Sequence, residues 1–322
     1  MKITTLLVLS LAAFSEAKPL ERRANANEAA TVGYATLNGG TKGGAGGKST
    51  TVTSLSALKD CVKQSGPAIC IVSGTISGNE VLPVTSDTTI IGKDHKAVLR
   101  GVGLKIKGKK NGAKVRNVIV RNLTIDKVLS STKGDAIGIQ YAENIWVDHC
   151  DLQGDRQSDK DKYDGLLDIT HGTDFVTVSN SFLHNHWKAS LVGHTDSNGA
   201  EDTNHLTVTY TNNFFLDLNS RVPSIRFGTA HLLNNYYENV GDGINARKGA
   251  RVLAEGNVFA GTKKAIYSVD GEGVAEAKDN NFGSAVNECP TGRLSVPYSY
   301  NRISSSQVKS AVVGKAGATL RF

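Results

Sequence analysis

Asn213-Phe214-Phe215, Asn235-Tyr236-Tyr237, Asn257-Val258-Phe259 and Asn280-Asn281-Phe282 repeat one short pattern, an Asn followed by apolar or aromatic residues. Looser copies precede them at Asn122-Leu123-Thr124-Ile125, His149-Cys150-Asp151-Leu152 and Asn180-Ser181-Phe182. Successive copies are 27, 31, 33, 22, 22 and 23 residues apart. A period near 22 residues built from strands of four or five residues is that of a solenoid in which each coil stacks on the next. The fold class expected is all-β, a single-stranded right-handed parallel β-helix with functional loops on one face. Asn tolerates the left-handed backbone angles of a tight turn, and stacked Asn amides can bond one another along the axis. Phe182, Phe215, Tyr237, Phe259 and Phe282 are expected to form an aromatic stack. An antiparallel sandwich would show strands every 8 to 12 residues joined by hairpin signals. Asn38-Gly39, Asn111-Gly112 and Asn198-Gly199 occur, but none joins two clear strands.

The uneven spacing locates the functional face. Measured against a 22-residue coil, the coils ending at His149, Asn180 and Asn213 carry 5, 9 and 11 extra residues. Extra residues in a solenoid go into loops, usually on one side. Asp135, Asp164, Asp168 and Lys188 fall within those coils, and Arg221 and Arg226 follow on the next.

The repeat favours one domain, residues 24–322, out of 322. Residues 1–17, with an apolar run ending in Ser15-Glu16-Ala17, read as a secretory signal peptide. The run is too short to span a membrane. Residues 18–23 end in Arg22-Arg23 and read either as a brief pro-segment or as a frayed terminus. Four cysteines in a secreted chain favour disulfides over metal or redox chemistry. Cys61 and Cys70 are the expected bridge; Cys150 and Cys289 either form a second or stay as thiols. Asn122-Leu123-Thr124 is a glycosylation sequon inside an apolar repeat, where a glycan is hard to place. The net charge of +7 suits an acidic polymer as partner.

Among residues able to do chemistry, the carboxylates come first. Asp164 and Asp168 would stand roughly 13 Å apart on a flat strand. A bend at Gly165 is therefore required before they can share an ion with Asp135. With it, three carboxylates offer the oxygen ligands a hard cation such as Ca2+ prefers. Lys188 follows His184-Asn185-His186-Trp187, a run that lacks the Glu or third His of a zinc site and reads as structural. Arg221 and Arg226 flank Pro223, which stiffens the segment. Two arginines on a rigid strand suit either a structural ion pair or an anion site. No nucleophile elbow is present, and Gly47-Lys48-Ser49 lacks the first glycine of a phosphate loop.

The chain resembles the fungal branch of the first polysaccharide lyase family, the pectate lyases, from residue 32 onward. The motifs are Gly33-Tyr34-Ala35-Thr36-Leu37-Asn38-Gly39-Gly40, Trp146-Val147-Asp148-His149-Cys150, Tyr163-Asp164-Gly165-Leu166-Leu167-Asp168-Ile169-Thr170-His171 and Asn219-Ser220-Arg221-Val222-Pro223-Ser224-Ile225-Arg226. The resemblance implies a parallel β-helix and calcium-dependent β-elimination of de-esterified homogalacturonan by a secreted, endo-acting monomer. Carried over, Asp135, Asp164 and Asp168 correspond to calcium ligands, Arg221 to the catalytic base, and Lys188 and Arg226 to binders of the substrate carboxylate. Asp148-His149 is read as structural. Lys133 stands where some members place another acid, which implies a weaker ion site until substrate adds a carboxylate. A pectin lyase on the same fold would need no calcium and would favour a more aromatic cleft. A non-catalytic wall-binding β-helix would keep the basic face without the Asp and Arg221 set. Neither a nucleic-acid nor a membrane partner is expected.

Overall fold

The structure, a computed structural model, describes residues 24–322; the segment read as signal and pro-segment lies outside them. The chain winds into a parallel β-helix. Ten strands, from Lys48–Val52 through Val115–Arg121, Ala142–Asp148 and Asp174–Ser179 to Val274–Lys278, form one parallel sheet in which each neighbour comes from the next coil. A second sheet folds around a corner at the long strand Val98–Lys107. The first residues of this strand pair with Thr124–Asp126, and its last with Ile137–Gln140. The second sheet therefore has two arms, and the coil has three faces. Parallel crossovers of this kind are right-handed.

Alternation within strands explains the core. Val118 and Val120, Ile145 and Val147, Val176 and Val178, Val208 and Tyr210 point inward at every second residue and are fully buried. Each such side chain contributes roughly 1.5–3 kcal/mol. The outward Thr177 and Thr209 are covered by the N-terminal segment, whose Ala35 and Tyr34 amides donate to their hydroxyls at 3.0 and 3.1 Å. Helix Leu55–Val62, capped by the Ser54 hydroxyl, closes the first coil with Leu58, Cys61 and Val62. The Cys61–Cys70 disulfide ties it to strand Ala68–Val72.

Among the described residues Cys150 and Cys289 are free thiols, so the second bridge does not form. Cys150 is buried, donating to the Val120 carbonyl, while Cys289 is half-buried near Gly273. The Asn122 side chain is also buried, donating to the Gly92 and Leu320 carbonyls.

The turn after the ten-stranded sheet holds two distinct positions. The first is left-handed: His149, Asn180, Asn212 and Asn234 have φ of 48, 47, 55 and 53°. The second carries the ladder, in which each side-chain oxygen accepts from the coil before it: Cys150 to Ser181, Ser181 to Asn213, Asn213 to Asn235, Asn235 to Asn257 and Asn257 to Asn280. The rungs are 31, 32, 22, 22 and 23 residues apart. Asn180 is thus a turn residue and Ser181 the rung, one residue out of step with the sequence expectation. The aromatic stack shifts with it. Phe215, Tyr237 and Phe259 stack inside the coil at 4.8 and 4.4 Å, and Phe282 follows at 5.8 Å. Phe182 instead pairs in register with Phe214, 4.8 Å away, on the outer side. Helix Ser305–Val312 covers that outer cluster with Val308 and Val312.

Candidate active site

The predicted site residues gather where one arm of the second sheet passes into the other. Strand Phe182–Lys188 aligns with Phe214–Ser220, which sets Lys188 opposite Ser220, next to Arg221. Across the corner, Asp168, Leu191 and Ser224 occupy successive rungs of the other arm. Arg221 sits at the corner with φ of 60°, ahead of the cis Val222–Pro223 bond. The chain turns there, so Arg221 and Arg226 line one hollow instead of facing apart.

Three hollows of about 240, 210 and 300 Å³ make a groove. The first holds Asp135, Asp164, Asp168 and Lys133; the second Arg221 and Arg226; the third Lys188 and Arg221. Leu191 and His194 belong to the first two, Ser220 and Arg221 to the last two. One end is therefore acidic and the other cationic.

Gly165 makes the acidic end. It supplies the bend that brings Asp164 and Asp168 to one hollow, and its amide donates to Asp135 Oδ1 at 3.0 Å. A Cβ there would stand 2.4 Å from Asp168 Oδ1 and 3.0 Å from Asp135 Oδ1, so only glycine lets both carboxylates close in. Burial, reinforced by the charges of Asp168 and Asp164, pushes the Asp135 carboxyl well above the usual range. Burial pushes Asp168 up as well, against the pull of Arg221 and the Leu191 amide, which donates to Asp168 Oδ1 at 3.1 Å. Two crowded, under-compensated carboxylates with hard oxygen donors fit a divalent cation such as calcium. Among the described residues, however, no set of three His, Cys, Asp or Glu side chains closes into a finished cage. Asp164 is half-exposed and reaches Lys188 Nζ at 3.6 Å, so it stands at the rim.

The three cations differ in how they are engaged. Lys188 Nζ lies 3.3 Å from Asp161, on a loop pinned by the Trp187 indole, which donates to the Ser158 carbonyl at 2.9 Å. Its backbone amide donates to His186 Nδ1, while His184 bonds Asp151. Arg226 is buried, donating to Asp196 and to the Gly193 carbonyl. Arg221 has no hydrogen bond or ion pair from its guanidinium among the described residues. Sequence reasoning missed Asp161, Asp196 and His194. All three lie in the lengthened loops that the spacing had marked, which was the available signal.

A larger hollow, about 560 Å³, lies at Arg121, Trp146, Asp148 and His149. Its charges are satisfied by each other: Asp148 accepts from Arg121 and His149 at 2.7 Å, Ser179 at 2.6 Å and Asn180 at 2.9 Å. Although buried, Asp148 is held below the usual carboxylate range by these partners. The network is a structural tie, so size alone does not mark the active groove.

A family model described as Pectate lyase matches residues 3–320. This chain belongs to the pectate lyase family. Probable pectate lyase A of Neosartorya fischeri is 54% identical over 99% of both chains. Pectate lyase A of Emericella nidulans is 56% identical over 94% of this chain and 90% of its own. Among solved structures, a pectate lyase from Bacillus sp. N165 in complex with trigalacturonate superposes with a TM-score of 0.80 at 30% identity. That match covers 89% of this chain and 98% of the other. A pectate lyase from Acidovorax avenae shares the fold with a TM-score of 0.79 at 17% identity, over 96% and 98% of the two chains.

Proposed function

We propose that this chain is a secreted, calcium-dependent lyase that cleaves de-esterified polygalacturonate by β-elimination, leaving a 4,5-unsaturated uronide. The observation that carries the reading is the unpartnered Arg221 guanidinium, set at the corner between a crowded carboxylate cluster and Lys188.

Elimination requires the C5 proton to leave while the glycosidic oxygen departs from C4, and charge then develops on the neighbouring carboxylate. Arg221 takes the C5 proton, and solvent water supplies the proton taken up by the departing glycosidic oxygen. A guanidinium normally holds its proton to high pH, so a reaction that uses one as base is expected to have an alkaline optimum. Lys188 binds the carboxylate directly, exchanging Asp161 and Asp164 for the substrate. Arg226 does the same from the other side of Arg221, releasing Asp196. Asp135, Asp164 and Asp168 would hold the calcium ion, their carboxylates supplying the hard oxygen donors it prefers. Calcium bound there supplies positive charge beside the uronate carboxylate. The protein acts as a monomer on a single chain of the polymer.

The test is the ultraviolet absorbance of unsaturated uronide on polygalacturonate at alkaline pH, with calcium and then with chelator. A rise that chelator abolishes is expected. A rise on highly methylated pectin alone, indifferent to chelator, would overturn the substrate and the metal together.

A further inference from the structure

The groove contains an imidazole that the reaction as drawn does not use. Strand Ser190–Val192 ends at Gly193, whose φ of 76° and lack of a side chain let the backbone lie against Arg226. A Cβ at Gly193 would stand 2.9 Å from the Arg226 carbonyl oxygen. The chain thereby delivers His194 to the junction between the acidic and the cationic hollows. His194 is exposed, and its ring has no hydrogen-bond partner among the described residues.

An exposed histidine usually samples several rotamers, but this one lies against a second imidazole. Its ring lies 4.2 Å from that of His171, which in turn stacks on Tyr141 at 4.9 Å. His171 Nδ1 is 2.9 Å from Glu201 Oε2 and 3.1 Å from the Tyr141 hydroxyl. Glu201 is fixed by the Asn198 amide at 2.8 Å. These bonds hold the Glu201 carboxyl down at about 2 despite its partial burial, so it stays an anion that orients His171. The result is a braced imidazole with no hydrogen-bond partner among the described residues, lining the hollow with the carboxylates and the hollow with Arg221. A pyranose offers hydroxyl groups that both donate and accept, which a neutral imidazole matches.

We propose that His194 is a sugar-contacting residue that hydrogen-bonds a ring hydroxyl of the galacturonate bound beside the carboxylate cluster, with His171, Tyr141 and Glu201 as positioning residues that hold its ring. This rests on the groove binding polygalacturonate. Its effect falls on binding and register, because His194 touches a hydroxyl and takes no part in proton transfer. Loss of one neutral hydrogen bond corresponds to a KM increase of about five- to tenfold.

Steady-state kinetics on polygalacturonate with calcium should give that increase for His194→Ala with kcat nearly unchanged. His194→Phe, which keeps the ring contact and loses the polar atoms, should behave like His194→Ala. His194→Gln should recover most of the loss, and Glu201→Gln should raise KM by a smaller factor. An unchanged KM in His194→Ala and His194→Phe, or a loss confined to kcat, overturns the proposal. Imidazole resonances followed during titration with trigalacturonate decide it independently of turnover. A shift of His194 on binding supports the contact even if the polymer is not cleaved, and an unmoved resonance at saturation refutes it.

Discussion

Asn235 carries the ladder at its centre, and Asn235→Ala removes a countable set of bonds. Its Oδ1 accepts from the Asn213 amide and from Asn213 Nδ2, both at 3.0 Å. Its Nδ2 donates to the Tyr210 carbonyl at 2.9 Å and to Asn257 Oδ1 at 3.0 Å. All four bonds are buried, so water cannot replace them without entering the core. Asn213 Nδ2 keeps the Val178 carbonyl at 3.0 Å, and Asn257 Oδ1 keeps the Asn235 backbone amide. The Asn213 backbone N–H is left with nothing. At about 1 kcal/mol per buried bond the loss is about 4 kcal/mol. With about 2 cal/mol/K of unfolding entropy per residue, a chain of this size should lose roughly 6 °C in Tm. The assay is thermal unfolding at fixed pH and saturating calcium, with the exposed Asn301→Ala as control. A fall no larger than that of the control would refute the idea that the amide column holds the coils together.

Three further outcomes are expected. Arg221→Ala should lower kcat on polygalacturonate by roughly a hundred- to ten-thousandfold with little change in KM, the range for removing a proton-transfer group; a deeper kcat loss in Lys188→Ala at saturating substrate would move the base elsewhere. Calcium-free protein should become more stable as pH falls from about 8 to 5, because Asp168, pushed up to about 7 from an ordinary 3.8, disfavours the fold whenever it is ionised; thermal melts should flatten over that window in Asp168→Asn, and an unchanged slope would count against the buried charge. Asp196→Asn, which removes the competitor on Arg226, should lower KM by up to about fivefold, the scale of an ion pair with one partner at the surface; a raised KM would show that Asp196 orients Arg226 for substrate.

The solenoid was legible because its final coils repeat at 22 and 23 residues, with Asn on the same rung and an aromatic two residues on. The slip at Asn180 was not legible, since Ser181 performs the rung's bonding with a hydroxyl and the Asn before it mimics the motif. The carboxylate cluster followed from the need for a bend at Gly165, which the structure meets with a residue that must be glycine. The state of the arginines did not follow. Arg226 takes its partner Asp196 from a loop 30 residues earlier, and no spacing rule connects them. His194 was invisible for the same reason: its meaning comes from His171 and Glu201, which other coils bring beside it.

The two-position turn also determines how this architecture can change in length. A loop at the corner can lengthen freely, as the 31- and 32-residue coils do, because it leaves the rung and the left-handed residue before it untouched. Inside the coil, one residue gained or lost would turn every inward side chain outward and take the amide off its column. Only a whole coil can be added or removed there. Excising the 22 residues that begin at Asn235 would bring Asn257 directly onto Asn213 and restore the stack. Such a chain is thus expected to vary in whole coils along its axis and residue by residue around its groove, so that the binding face can be reshaped without the scaffold registering the change.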